Sequence, residues 1–147
     1  MHATTIVQTA IQAWEEHDAT ALASCLSDDV ICKQILPQSI DKAQLLTFMQ
    51  AITSAFPDWS FDSHILHEEK LSERSWSVLL ITRVTGTHTG DLILPALPVI
   101  PATGMKIALP YRHLIFLVTG DTITSITADF SPSGLEEVLA QLGLELP

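Results

Sequence analysis

The sequence predicts an α+β fold, with helices first and long antiparallel strands after them. Up to Pro57 the apolar residues recur at helical spacing, and beyond it the period falls to two. A tight Gly120-Asp121 turn between two β-rich runs marks a hairpin near the end of the chain. A strongly curved, mostly antiparallel sheet wrapped around N-terminal helices makes a cone with an apolar interior, an α+β barrel suited to holding a small molecule at its open end.

The elements follow in order. Thr4 or Thr5 caps a first helix whose apolar positions are Ile6, Val7, Ala10, Ile11 and Trp14. Asp18 caps a short second helix over 19–26, and an extended segment over 30–36 is stopped by Pro37. Asp41 caps a third helix with Leu45, Leu46, Phe48, Met49, Ile52 and Ala55 on one face, and Pro57 ends it. Trp59, Phe61, Ser63 and Ile65 then alternate with Ser60, Asp62 and His64, the pattern of a half-buried strand. Further strands are predicted over 75–87, 106–118 and 122–130, the last two joined as the hairpin. Pro132-Ser133-Gly134 opens a final helix over 135–142, ended by Gly143. There is no internal repeat and no linker, and 147 residues fit one domain, 1–147.

Composition narrows the function. Hydrophobic residues make up 47% of the chain and charged residues 16%, enough apolar surface for a core. The net charge of −10 lacks the basic footprint of a nucleic-acid binder and disfavours anionic membrane surfaces. No apolar run reaches the roughly 18–20 residues that span a bilayer. The N-terminus shows no basic segment followed by an apolar one, so a cytoplasmic protein is expected. Cys25 and Cys32 lack metal or redox spacing and read as free buried thiols.

The stretch 86–113 is the least ordinary part. It contains a loop with Pro95, Pro98 and Pro101 that also carries Leu92, Ile93, Leu94, Leu97, Val99 and Ile100. A loop this apolar must cover a pocket, a partner subunit or both.

Several local patterns resemble the SnoaL-like polyketide cyclases of the nuclear-transport-factor-2-like superfamily. They are Asp28-Asp29-Val30-Ile31, Phe56-Pro57-Asp58-Trp59-Ser60-Phe61, Gly86-Thr87-His88-Thr89-Gly90, Ala102-Thr103-Gly104, the strand reaching Gly120-Asp121, and Gln141-Leu142-Gly143. They occur in the family's order over nearly the whole chain. The resemblance implies the cone-shaped fold and an intramolecular aldol ring closure run by a carboxyl deep in the pocket, with no metal or organic cofactor. Such chemistry is physically sensible: an apolar cavity raises a carboxyl pKa, and a shaped pocket orients the substrate.

The family's acid/base aspartate lies near the end of the last strand, within His-x-Asp before a Phe-Asp-Pro-like stretch. Here the sequence reads Ser125-Ile126-Thr127-Ala128-Asp129-Phe130-Ser131-Pro132. Anchoring on Ile123 and on Phe130-x-Pro132 sets Ala128 at the aspartate position and Ile126 at the histidine position, with Asp129 one residue late. In a strand, one residue means the opposite face. Either a bulge turns Asp129 inward as the catalytic carboxyl, or Asp129 faces away and the usual acid/base is missing.

His113 matches a polar position that points into the family's pocket and is the second catalytic candidate. Tyr111 shares its face as a candidate pocket wall. Lys33 and Gln34 follow the Asp-Val segment, where the family often places a polar pocket residue; an exposed lysine is the plainer reading. Trp14, Phe48, Trp59, Phe61 and Trp76 are aromatics at core spacings, and those near the cone mouth, Trp14, Trp59 and Phe61 among them, would also line the cavity with Ile126 and Ala128. His88 reads as a structural side chain that fixes the lid loop. His2, His17, His64 and His67 show no metal-binding spacing, and no phosphate loop, nucleophile elbow or dinucleotide fingerprint is present.

Three functions compete. The first is a cofactor-free cyclase or isomerase acting on an apolar ketone, with Asp129 or His113 at the pocket floor. The second is a non-catalytic module that holds an apolar small molecule; it is favoured if the pocket walls lack a titratable group. The third is epoxide hydrolysis, for which Arg83 or Arg112 would need two carboxylate partners inside the cone. The apolar outer strand positions and lid predict a homodimer.

Overall fold

The computed structural model describes residues 2–145. Four helices and seven strands run in the order α1 (His2–Glu15), α2 (Ala19–Cys25), β1 (Leu26–Lys33), α3 (Lys42–Ala55), β2 (His64–Ser72), β3 (Ser75–Thr82), β4 (Thr85–Thr87), β5 (Lys106–Ala108), β6 (Arg112–Thr119), β7 (Thr122–Ala128) and α4 (Gly134–Gln141). Five strands form one sheet in the order β1-β7-β6-β3-β2, parallel only between β1 and β7, while β4 and β5 form a separate ribbon. The sheet is curved but not closed, with β1 and β2 as its edges. The α+β class predicted from sequence is the one observed.

Local chemistry explains most boundaries. The Asp41 side chain accepts from the Gln44 N–H while Gln44 reaches back to the Asp41 N–H, a full capping box at the start of α3. Asp18 and Ser133 cap α2 and α4 through their side chains. Three expectations need correction. The first helix begins at His2, ahead of Thr4 and Thr5, with the His2 ring edge-on to Trp76 at 4.8 Å and 3.1 Å from the Gly120 carbonyl. The strand expected over 59–65 lies later, at β2; Trp59 and Phe61 are buried in a loop that meets β4 through the isolated Ser60–Thr85 bridge rather than a ladder. The long strands expected over 75–87 and 106–118 are each broken in two, the second around Leu109-Pro110-Tyr111, where proline has no N–H to continue a ladder.

The family-like motifs lock together beside α3. Asp58 accepts from the Thr87 N–H at 2.7 Å and from its hydroxyl at 2.8 Å. Burial alone would raise the Asp58 carboxyl, but these two bonds outweigh it and hold it below its ordinary value. Gly90 lies so close to the end of α3 that a Cβ would come 2.2 Å from the Ser54 carbonyl oxygen, so only glycine fits. His88 is fully buried and stacks on Phe56 at 5.1 Å. Its Nδ1 accepts from the Thr103 N–H at 3.3 Å and pairs with the Thr103 hydroxyl at 2.9 Å, while that hydroxyl oxygen accepts from the Met105 N–H at 3.2 Å. The proton therefore sits on Nε2.

Cys25 and Cys32 are free and buried; burial, joined by the Asp41 charge, pushes the Cys32 thiol up to about 12.

His88 sets a pH dependence. Burial lowers its pKa below the ordinary value. The unfolded chain therefore takes up a proton near pH 6.5 that the folded protein resists, and stability present above about pH 6.5 is lost as the pH falls. Thermal melts of the wild type are expected to move to lower Tm between pH 7 and pH 5, with a shallower slope in His88→Gln; equal slopes would refute the assignment.

Candidate functional site

The inner face of the sheet and the helices enclose a cavity of about 70 Å³. Its walls come from every layer: Trp14 from α1, Phe48 from α3, Trp59 and Phe61 from the loop before β2, Leu114 and Phe116 from β6, Ile126 from β7 and Val138 from α4. Edge-on aromatic contacts frame it, with Phe61 at 5.5 Å from Trp14 and 5.9 Å from Trp59, and Phe48 at 6.2 Å from Trp14. The Glu15 carboxylate fixes Phe61 by accepting its N–H at 2.7 Å. Among the described residues, none lining the cavity is titratable. Trp14 and Trp59 are among the lining residues, and each indole N–H is buried without a hydrogen-bond partner.

Asp129 and His113 lie elsewhere. Leu114 pairs with Ala128 across β6 and β7, and both are buried, so the flanking His113 and Asp129 project from the outer face. There they form a pair. One Asp129 oxygen accepts from the His113 N–H at 2.7 Å, and the other lies 2.9 Å from His113 Nδ1. Burial alone would raise the Asp129 carboxyl, but the His113 bonds outweigh it and hold it below the usual range. That is the opposite of the raised carboxyl an aldol acid/base needs.

A bulge produces this orientation. Val118 pairs with Ile123 but Leu117 pairs with Ser125, which leaves Thr124 as the extra residue. Its hydroxyl donates to the Leu117 carbonyl at 3.3 Å. Ile123 and Ile126, three apart, are both buried, and regular alternation then carries Ala128 and Phe130 inward. Uninterrupted alternation from Ile123 would have turned Asp129 inward. The expectation that a bulge would be needed to bring Asp129 in is therefore reversed.

The remaining candidates divide. Trp14, Trp59, Phe61 and Ile126 line the cavity; Ala128 is buried on the same face but is not among its lining residues. Tyr111 is not a wall: it is 57% exposed, with the Arg83 guanidinium 5.5 Å from its ring centre. Lys33 is exposed, opposite Thr127 on the outer side of the sheet, and Gln34 spends its amide on the Phe130 and Pro132 carbonyls at 3.1 and 3.0 Å. Arg112 grips the buried Glu137 carboxylate through two bonds of 2.9 and 3.1 Å, tying α4 to β6. Neither arginine reaches the cavity. Sequence reasoning missed Leu114, Phe116 and Val138 as cavity walls, because apolar residues at core spacing carry no mark that separates a wall from filled core.

The SnoaL-like domain family matches residues 7–126. The chain belongs to that family. No curated protein sequence matches this SnoaL-like chain. Solved structures share its fold. A candidate polyketide cyclase from Xanthomonas campestris pv. campestris superposes with a TM-score of 0.71 at 21% identity, covering 96% of each chain. Another from Pseudomonas putida KT2440 also gives 0.71 at 21% identity, over 96% of this chain and 98% of its own. A ketosteroid isomerase-like protein from Catenulispora acidiphila, solved with trimethylamine, gives 0.61 at 18% identity, over 95% of this chain and 92% of its own. Likeness at these identities speaks for the fold and leaves the chemistry to the residues.

Ala128→Asp tests the reading of the inner face. A carboxyl there has no partner, so its folded pKa rises above the unfolded value of about 3.9. The variant is expected to lose about 3 kcal/mol or more at pH 7. The loss should shrink as the pH falls towards 4, because the folded state prefers the protonated acid. Urea unfolding at pH 7 and pH 5 measures this, and a pH-independent loss would contradict it.

Proposed function

We propose that this SnoaL-like protein binds a neutral, apolar small molecule and does not transform it. One observation carries the proposal: the cavity walls are apolar, with no acid or base in the lining. Proton transfer next to a carbonyl needs a base within hydrogen-bond reach of the carbon. Ala128 stands on the inner face where a family carboxyl is expected, and the His113–Asp129 pair lies behind the sheet. The unpartnered indole N–H groups of Trp14 and Trp59 favour a ligand with an acceptor oxygen, such as a ketone, ether or ester.

2-Butanone and propionate compare a neutral and a charged ligand of similar size. The neutral member is expected to bind more tightly by about tenfold or more, since a buried carboxylate would find no partner. Intrinsic tryptophan fluorescence reads the binding. Deuterium uptake at the α-carbon of a bound ketone in D2O discriminates the cyclase or isomerase reading: no acceleration over buffer is expected, and a clear acceleration would favour acid/base catalysis.

The proposal includes a homodimer formed through the outer face of the sheet. Ile31 and Ile115 are 49% and 41% exposed there, and Leu79, Ile81 and Leu117 are half-buried on the same face. Light scattering should give twice the chain mass at micromolar concentration, and Ile115→Glu should give a monomer. A monodisperse wild-type monomer would end this part of the proposal.

A further inference from the structure

The inner cavity, at about 70 Å³, is smaller than the ligands its walls suit. Even benzene occupies a dry cavity of about 150 Å³. A second space of about 690 Å³ lies on the other side of α3, between that helix, the segment after β1 and the Leu94–Leu97 turn of the apolar loop. The two spaces are neighbours throughout. Ile35 lines the inner one and Leu36 the outer; Leu45 and Gln44 divide in the same way, as do Gly134 and Leu135. Phe48 is the one described residue that lines both. It is 5% exposed, and an aromatic side chain has two torsions with which to swing aside.

We propose that Phe48 is a gate between two chambers of one ligand channel. The ligand is then an elongated neutral molecule, its apolar end inside and neutral hydrogen-bonding groups at the outer rim. This rests on the reading of the inner cavity as a binding site. The chemistry of the outer chamber supplies the ligand class. Leu36, Ile40, Leu94 and Leu97 make it apolar, and the polar side chains that line it are Gln38, Gln44 and Thr47, with no charge among them. The Gln44 Oε1 is occupied by the Asp41 N–H, so its amide N–H group is what faces a ligand. Amides and a hydroxyl match carbonyls and alcohols, whereas an anion or a cation would go uncompensated. The apolar loop thereby gains a purpose: its Leu94–Leu97 turn is the outer wall of the channel.

The test uses the full chain, methyl-labelled, titrated with 2-alkanones from 2-butanone to 2-undecanone. The longest ketone is expected to shift inner methyls (Leu114, Ile126) and outer methyls (Leu36, Leu97) with one common Kd. Affinity should rise more than about tenfold across the series. Phe48→Trp should weaken 2-undecanone about tenfold or more and leave the fold intact by NMR. Leu97→Lys, at a partly exposed position, should weaken 2-undecanone and leave 2-butanone unchanged. Shifts confined to the inner methyls at every chain length would overturn the gate and leave cavity binding standing. Shifts confined to the outer methyls, or no shifts at all, would overturn both.

Discussion

One extra residue in β7 decides what the cavity contains. Thr124 interrupts the alternation between Ile123 and Ile126, and every side chain after it is displaced to the face it would not otherwise occupy. Two consequences follow from that single shift of phase. Ile126, Ala128 and Phe130 complete an apolar interior, and Asp129 meets His113 behind the sheet. The bulge is energetically consistent with its surroundings. It lets two isoleucines bury three residues apart and satisfies the Leu117 carbonyl through the Thr124 hydroxyl. A carboxyl on the inner face would instead have been desolvated among leucine, phenylalanine and tryptophan side chains.

The interlocked motifs beside α3 have a different role. Asp58 on Thr87, His88 on Thr103 and Gly90 against Ser54 hold the β4–β5 ribbon and the start of the apolar loop to the end of α3. Of the motifs through which the chain resembles its family, Trp59 and Phe61 line the inner cavity, whereas Asp58, His88 and Gly90 do not. Their service is to fix the scaffold from which Phe61, Phe48 and the Leu94–Leu97 turn are presented. The polar and glycine positions of the family's signature in this chain are therefore a signature of architecture. That is physically reasonable, since a buried neutral histidine and a backbone contact that only glycine permits tolerate few replacements, whereas an apolar wall tolerates many.

Charged groups are paired outside the lining of the cavity. Inside, Trp14 and Trp59 line the cavity, and their indole N–H groups are buried without partners. On the outer face the His113–Asp129 pair joins β6 to β7, while Arg112, on the inner side beyond Leu114, anchors α4 through the buried Glu137. The Arg112–Glu137 pair is the more buried, and the Ser131 N–H at 2.9 Å also donates to its carboxylate, so the turn into α4 depends on it. Pairing these charges away from the cavity keeps its dielectric low, which favours neutral ligands over ionic ones.

Much of this architecture is written locally. The α+β order, the capping residues Asp18, Asp41 and Ser133, the β6–β7 hairpin, the free thiols and the structural place of His88 all follow from spacing, side-chain chemistry or motif. Trp14, Trp59, Phe61 and Ile126 could be named as lining for the same reason: large apolar groups at core positions face inward. The sequence did not reveal β2, whose burial is slight and whose alternation is broken by a bulge near Leu66. It also misplaced Tyr111, because a position on a strand does not say which of two faces the fold will cover, whereas the plainer reading of Lys33 as exposed holds. What the sequence alone determined was the fold and its apolar interior, since both are sums over many residues. Only tertiary structure decided the facing of Asp129 and His113 and the division of the cavity at Phe48. Each of those turns on the pairing register or packing of a single residue, and register is set by partners distant in the chain.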